Sequence, residues 1–202
     1  MPKLLVGLGN PGPRYVGTRH NVGFEAVDRI VEAAGGRWRK STDQAVEAEA
    51  SFRGRIVSVM KPLTYMNLSG GPVAEWARDH AVAPEEILVY FDDVALPIGT
   101  LRLRERGSDG GHRGLASVIE ELGSTDVPRV RIGIRPAGPE TKGELADFVL
   151  SRFSPSEREV VDAVLERVVE ATGAILSDGM GKAMSRYNST VVGESAPSRR
   201  DG

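Results

Sequence analysis

Lys3-Leu4-Leu5-Val6-Gly7-Leu8, then Gly9-Asn10-Pro11-Gly12-Pro13-Arg14-Tyr15-Val16-Gly17, then Val22 to Ala34: this opening stretch sets the fold class. The first six residues are an apolar run of the length of a buried strand. Glycine and proline break that run and make a loop. The segment after it has apolar residues at Val22, Ala26, Val27, Ile30, Val31 and Ala34, a helical period that Gly35-Gly36 stops.

Strands and helices keep alternating further along. Trp38 to Phe52 and Arg55 to Lys61 read as strands joined by a turn at Arg53-Gly54, and Pro62 ends the unit. Gly70 to His80 reads as a helix, Ile87 to Phe91 as a buried strand, Leu115 to Leu122 as a helix and Val130 to Ile134 as a strand. Gly99 to Arg106 alternates, and Gly107 to Gly114 is a glycine-rich loop. Ser154-Pro155-Ser156-Glu157 combines a capping serine, a first-turn proline and a glutamate three residues after the cap, a strong helix start. Val160, Val161, Val164, Leu165, Val168 and Val169 then give one apolar face. The expected fold is α/β, a single domain with a twisted mixed β-sheet flanked by helices; the hairpin signal supplies the antiparallel part. The domain is expected over residues 1–192, and the small, polar and charged tail 193–202 is expected to be disordered.

Composition narrows the function classes. The chain has 202 residues, enough for one domain that buries about 70% of its unfolded surface. It has no cysteine, which excludes disulfides and thiolate metal sites. The first residues lack the longer apolar core of a signal peptide, and no apolar run approaches a membrane span, so a cytoplasmic protein is expected. The net charge of −2 means that any nucleic-acid ligand must be met by a local basic patch.

Five segments carry candidate chemistry. Gly7-Leu8-Gly9-Asn10-Pro11-Gly12 matches a dinucleotide-binding spacing, but Pro13 to Gly17 intervene before the helix, so its backbone N–H groups do not lead straight into a helix start. Thr18-Arg19-His20-Asn21 places a histidine between a glycine loop and a helix; histidine is the side chain suited to proton transfer near neutral pH. His80, among charges near a helix end, reads as solvated. Tyr65-Met66-Asn67-Leu68-Ser69-Gly70 offers either a helix cap, in Asn67 or Ser69, or an amide able to hold a substrate carbonyl.

Tyr90-Phe91-Asp92-Asp93-Val94 ends an apolar strand in two carboxylates, where ligand sites of α/β sheets lie. Adjacent strand residues point to opposite faces, so the two would not grip one metal ion, and one of them could orient a histidine. The fifth segment is the glycine loop with its flanks. Arg102, Arg104 and Arg106 are spaced two apart on an expected strand, and Arg129 and Arg131 repeat the spacing, which makes a candidate phosphate patch.

Taken in order and spacing, these segments resemble the bacterial-type peptidyl-tRNA hydrolase family. The pieces are Val6 to Gly12, Tyr15, Thr18 to Gly23, Tyr65 to Gly70, Asp92-Asp93, Leu96-Pro97, Gly110-Gly111-His112, Gly114-Leu115 and Arg129 to Ile134, and they span about residues 3 to 188. The resemblance implies a metal-free, cofactor-free esterase on an α/β domain, acting as a monomer on the acceptor stem and 3′ end of peptidyl-tRNA. It implies His20 as general base, Asp92 as its partner, and Asn10 and Asn67 as positioning amides. Tyr15 and Met66 would line the crevice, and Arg102, Arg104 and Arg131 would meet tRNA phosphates. Two positions depart from the family pattern. Arg113 stands where the family has asparagine, and arginine cannot accept a hydrogen bond; it is expected at the substrate, on the ester or on a phosphate. Ala95 replaces an acidic residue. Two rival expectations remain: an RNA-binding protein on this fold without hydrolysis, and a nucleotide-dependent oxidoreductase.

Overall fold

The computed structural model describes residues 1–52, 54–136 and 144–188. Its strands are β1 (Leu4–Gly7), β2 (Arg39–Lys40), β3 (Ala45–Phe52), β4 (Arg55–Pro62), β5 (Ile87–Pro97), β6 (Leu101–Arg104) and β7 (Arg129–Arg135). Its helices are α1 (Val22–Ala33), α2 (Gly70–Asp79), α3 (Arg113–Leu122), α4 (Leu145–Leu150), α5 (Pro155–Asp178) and α6 (Met180–Tyr187). All seven strands form one sheet in the order β2-β3-β4-β1-β5-β7-β6. The four central strands are parallel; β2 and β3 at one edge and β6 at the other are antiparallel. The expected mixed α/β sheet is found.

Alternation along the strands builds a core on each face. Leu5, Leu88 and Tyr90 pack with Val27 and Ile30 of α1 and with Val161, Val164 and Leu165 of α5. Leu4, Val6, Val89 and Phe91 point the other way, onto Val73 and Trp76 of α2 and Leu115 and Val118 of α3. Burying a leucine such as Leu4 or Leu5 completely contributes about 1.5–3 kcal/mol. The long helix α5 starts as its sequence predicts: Ser154 Oγ accepts from Glu157 N–H, and the Glu157 carboxylate accepts from Ser154 N–H at 2.7 Å.

Several expectations need correction. The segment from Trp38 to Phe52 is not one strand: it divides into β2 and β3, with a turn near Ser41–Gln44. The helix expected from Leu115 starts two residues earlier, at Arg113. Strand β5 does not end at the two aspartates but continues to Pro97 through an irregularity between Asp93 and Pro97. Helices α4 and α6 were not expected. The Arg53 half of the predicted turn lies outside the described residues, whereas Gly54 adopts a φ of +80°, as a turn glycine can. The expected tail 193–202 and the boundary at 192 also lie outside them. Among the described residues, no helix is long and apolar enough to cross a membrane.

The topology fixes where a site can form. The chain leaves β1 through α1 on one face and later enters β5 from α2 on the other, so the strand order reverses around β1. Crevices open beyond the carboxyl ends of strands at such a point. Strand β1 ends at Gly7, paired with Tyr90, two residues short of Asp92. Asp92 therefore borders the gap where β1 leaves the sheet.

Candidate functional site

A crevice of about 610 Å³ opens at this point, within the size range of ligand pockets. It is bordered by the ends of β1, β4 and β5, the glycine loop ahead of α3, and α4. Of the residues singled out in the sequence, Asn10, His20, Met66, Asn67, Asp92, Arg104, Arg113 and Arg131 line it. Tyr15 and Arg102 are not among its lining residues. Tyr15 instead lies against the Arg14 guanidinium, which stacks 4.5 Å over its ring and bonds its hydroxyl.

The centre of the site is Asp92, which is 2% exposed. His20 Nδ1 lies 2.8 Å from Asp92 Oδ1, and His112 Nε2 lies 3.0 Å from the same oxygen. The two rings stand 5.0 Å apart, and His112 also packs against Phe91. Hydrogen bonding sets the tautomers. Leu115 N–H donates to His112 Nδ1 at 3.1 Å, so the proton of a neutral His112 is on Nε2 and is donated to Asp92. His20 donates to Asp92 through Nδ1, which leaves the Nε2 lone pair of a neutral His20 for a proton from outside. Burial alone would push the Asp92 carboxyl up. The adjacent imidazoles, His112 first and then His20, outweigh it and hold Asp92 well below the ordinary carboxylate range. Asp92 is thus an anion throughout the neutral pH range.

Close backbone packing delivers both histidines to this carboxylate. His20 precedes α1, and a Cβ on Gly23 would sit 2.4 Å from the Tyr90 carbonyl oxygen and 2.5 Å from that of Leu8. Only glycine lets the first turn of α1 approach β1 and β5 so closely. His112 caps α3, and a Cβ on Gly114 would meet Met66 Sδ at 2.4 Å. Arg19, next to His20, is 6% exposed and ties this turn to the chain beyond β7. Its guanidinium donates to Ser151 Oγ, the Ile134 carbonyl and Glu157 Oε2, between the rings of Phe148 and Phe153.

A second network fixes the amides. Asn21 clamps the backbone of Asn10: its Oδ1 accepts from Asn10 N–H at 2.8 Å, and its Nδ2 donates to the Asn10 carbonyl at 2.9 Å. Asn10 Oδ1 in turn accepts from Met66 N–H at 2.8 Å. The Asn10 oxygen is therefore engaged and its NH₂ is the end left for the crevice. Asn67 is exposed beside it. Ser69, 0% exposed, donates to the Met66 carbonyl and fixes the same turn; the side chains of Ser69 and Asn67 do not cap α2.

The arginines divide into two kinds. In the β6–β7 register, Arg102 pairs with Arg131 and Arg104 with Arg129. Arg129, expected to repeat the phosphate spacing, is 2% exposed. Its guanidinium donates to the carbonyls of Val127, Gly107, Ser108 and Thr125, so it buttresses the glycine loop from behind. Arg102, Arg104 and Arg131 are half-buried and Arg113 is exposed at the first turn of α3. Arg131 Nε bonds Asp93 Oδ2, so Asp92 and Asp93 do serve different partners, as strand alternation requires. Leu145, Val149 and Leu150 of α4 add an apolar part to the crevice lining.

Sequence reasoning assigned no role to His112, Asn21 or Arg19. His112 follows two glycines and has no periodic signal, and only the packing of α3 against β5 brings it to Asp92. His20, Asp92 and His112 are also a group whose donor atoms lie within 4.8 Å of one another. The protons on His20 Nδ1 and His112 Nε2 occupy the space between those atoms, so hydrogen bonding accounts for the cluster without an ion.

A buried carboxylate bonded to an imidazole, with the far imidazole nitrogen open to a crevice, is an arrangement able to carry general-base chemistry of the hydrolase type. The family model for peptidyl-tRNA hydrolase matches residues 4–195, and the chain belongs to that family. A peptidyl-tRNA hydrolase of Chloroflexus aggregans is 47% identical over 186 residues, 92% of this chain and 98% of its own length. One of Symbiobacterium thermophilum is 47% identical over 190 residues, 93% of this chain and the whole of its own. The crystal structure of peptidyl-tRNA hydrolase from Acinetobacter baumannii superposes with a TM-score of 0.86 at 30% identity, covering 94% of this chain and 96% of that one.

Proposed function

We propose that the chain hydrolyses the ester between a peptide and the 3′ end of tRNA, with His20 as general base. The observation that supports this most is His20 with Nδ1 on the buried, ionised Asp92 and Nε2 left for a water in the crevice. In this reading a water bound at Nε2 attacks the ester carbonyl as its proton passes to the imidazole. Asp92 keeps the ring oriented and stabilises the imidazolium. The NH₂ groups of Asn67 and Asn10 face the developing oxyanion. When the intermediate collapses, the C–O bond to the ribose breaks and the imidazolium returns its proton to the leaving 3′-oxygen. The products are a free peptide acid and free tRNA. No step draws on a metal or cofactor.

The crevice also orients the substrate. Arg104, Arg113 and Arg131 at one end suit the phosphates near the tRNA 3′ end and acceptor stem, with Arg102 beside them on the strand. Arg113 is exposed at a helix N-terminus, so we assign it to a phosphate rather than to the ester. The α4 wall and Met66 suit the apolar part of the peptide. Tyr15, outside the crevice lining, stands with Arg14 as an outer contact. We place the reaction in the cytoplasm with a single chain acting alone, since one chain supplies every group named.

The test is to incubate the protein with N-acetyl-aminoacyl-tRNA and follow free tRNA. Release that scales with enzyme is expected. Binding without release would instead favour an RNA-binding protein lacking hydrolysis.

A further inference from the structure

Asp93 has no part in the chemistry just described, yet both of its carboxylate oxygens are engaged. It is 9% exposed and lines the crevice. Its Oδ1 accepts from Ala95 N–H at 2.8 Å, which pins the carboxylate where β5 becomes irregular. Its Oδ2 accepts from Arg131 Nε. Among the described residues this is the hydrogen bond that Arg131 makes, and it leaves the two terminal nitrogens of the guanidinium for a ligand. Arg131 is 27% exposed at its side chain, so that outer edge is within reach of solvent.

The surroundings show why such a carboxylate is needed. Arg131 pairs directly with Arg102, and the neighbouring cross-strand pair is Arg104 with Arg129. Four cations on two adjacent strands repel one another, and charge on Arg129 is disfavoured first by burial and then by the neighbouring Arg131. A half-buried arginine in that company would lean into solvent. Asp93 holds it by the Nε edge only, from behind, and arginine can bind one carboxylate on that edge while presenting its other nitrogens to a phosphate.

We propose that Asp93 is a positioning residue for substrate binding: it aims the Arg131 guanidinium at a backbone phosphate of the tRNA. This rests on the reading of the crevice as a peptidyl-tRNA site. It gives the adjacent aspartates separate duties, Asp92 in proton transfer and Asp93 in recognition of the RNA. It also requires a particular sign. If Asp93 were only a negative charge near the path of the tRNA, removing it would tighten binding. If it aims Arg131, removing it weakens binding although the site becomes more positive.

The experiment compares wild type, Asp93→Asn, Asp93→Glu, Arg131→Ala and the double variant Asp93→Asn/Arg131→Ala. Each is assayed on full-length N-acetyl-aminoacyl-tRNA and on a short aminoacylated substrate lacking the acceptor stem, over a salt series. Asp93→Asn is expected to raise KM for the full-length substrate about three- to tenfold, with kcat within about twofold of wild type. The salt slope should flatten by about one unit, the loss of one phosphate contact. The short substrate should show neither change. Asp93→Glu should recover part of the loss, and the double variant should match Arg131→Ala alone, because both substitutions remove the same contact. A lower KM for Asp93→Asn, equal losses on both substrates, or additive effects in the double variant would each overturn the proposal. Inactivity of the wild-type protein on both substrates would instead overturn the reading on which it rests.

Discussion

The two corners of the crevice solve opposite problems. In the histidine corner, a nearly inaccessible carboxylate is bonded by two imidazoles, and both imidazoles are delivered by helix starts packed tightly on the sheet. In the arginine corner, Arg104 on the edge strand β6, Arg131 on the adjoining β7 and Arg113 at the start of α3 are half-buried or exposed. Proton transfer needs a group held to a fraction of an ångström in a fixed protonation state. Recognition of a charged polymer needs cations that can be reached, and it tolerates looser placement. The difference teaches that substitutions in the first corner should change kcat, and those in the second should change KM and its dependence on salt.

The largest effect is expected from His20→Ala. It removes the imidazole that bonds Asp92 through Nδ1 and whose Nε2 makes no hydrogen bond among the described residues, so kcat should fall about 10²–10⁴-fold with the fold intact. Steady-state kinetics together with a circular-dichroism melt check this, and residual activity above about a tenth of wild type would place the base elsewhere.

Asp92→Asn follows. It should lower kcat by somewhat less, because the imidazole remains but loses the anion that orients it and stabilises its cation. The pH–rate profile carries the sharper signature. Asp92 is held below the ordinary carboxylate range, so it is ionised across the neutral range in the wild type. Removing that charge beside the general base should change the pH dependence of kcat, and an unchanged profile would contradict the role given to the anion. The same depression bears on stability. A carboxyl whose folded-state value is lowered contributes stability that is present above its unfolded value and is lost as pH falls through the folded one. Between about pH 5 and 8, that contribution should be constant in the wild type, and Tm measured across this window should show no loss traceable to Asp92.

His112→Ala should cost less again, about tenfold in kcat, since His20 and Asp92 stay in contact while the second N–H on the carboxylate disappears. The loss of the α3 cap adds about 1 kcal/mol of destabilisation, readable in a denaturant titration. A His112 variant as impaired as His20→Ala would blur the distinction between the two rings.

A smaller effect still is expected from Arg104→Ala: a KM raised several-fold on full-length substrate, a salt slope flatter by about one unit, and little change in kcat. Arg102→Ala should do less, because Arg102 lies outside the crevice lining. A loss of kcat in either would contradict the division between the corners.

How much of this could be read from the sequence depended on range. The strand at Leu4, the helix from Val22 and the capped start of α5 are local patterns, and all three are found. His20 and Asp92 stood out as candidates beside a glycine loop and a strand end, and the family resemblance is what paired them; the structure brings the two into contact. Arg129 and Arg131 show the limit. They have the same residue type and lie two apart on the same strand at the crevice, yet Arg129 is buried against the carbonyls of the glycine loop while Arg131 keeps an exposed edge. Arg129 donates to the carbonyls of Gly107 and Ser108 from another part of the chain as well as to those of nearby Thr125 and Val127, and no local pattern encodes the first two. Strand β5 was drawn short for a related reason. Two adjacent aspartates look like an end, and only their partners, the histidines for one and Arg131 and Ala95 N–H for the other, allow a strand to run through them. Tyr15 carried a family expectation; its ring and hydroxyl are engaged by the neighbouring Arg14, and it is not among the residues lining the crevice.

The central claim is that His20 activates water to cleave an acyl ester without a metal, and isotope labelling tests it most directly. Wild-type protein treated with a chelator is given N-acetyl-aminoacyl-tRNA in water enriched in oxygen-18, and the products are analysed by mass spectrometry. The expected result is undiminished release, one labelled oxygen in the carboxylate of the freed acyl group and none in the tRNA, with no label incorporated by His20→Ala over the same time. Loss of activity on chelation, or label found in the tRNA instead of the acyl product, would contradict it.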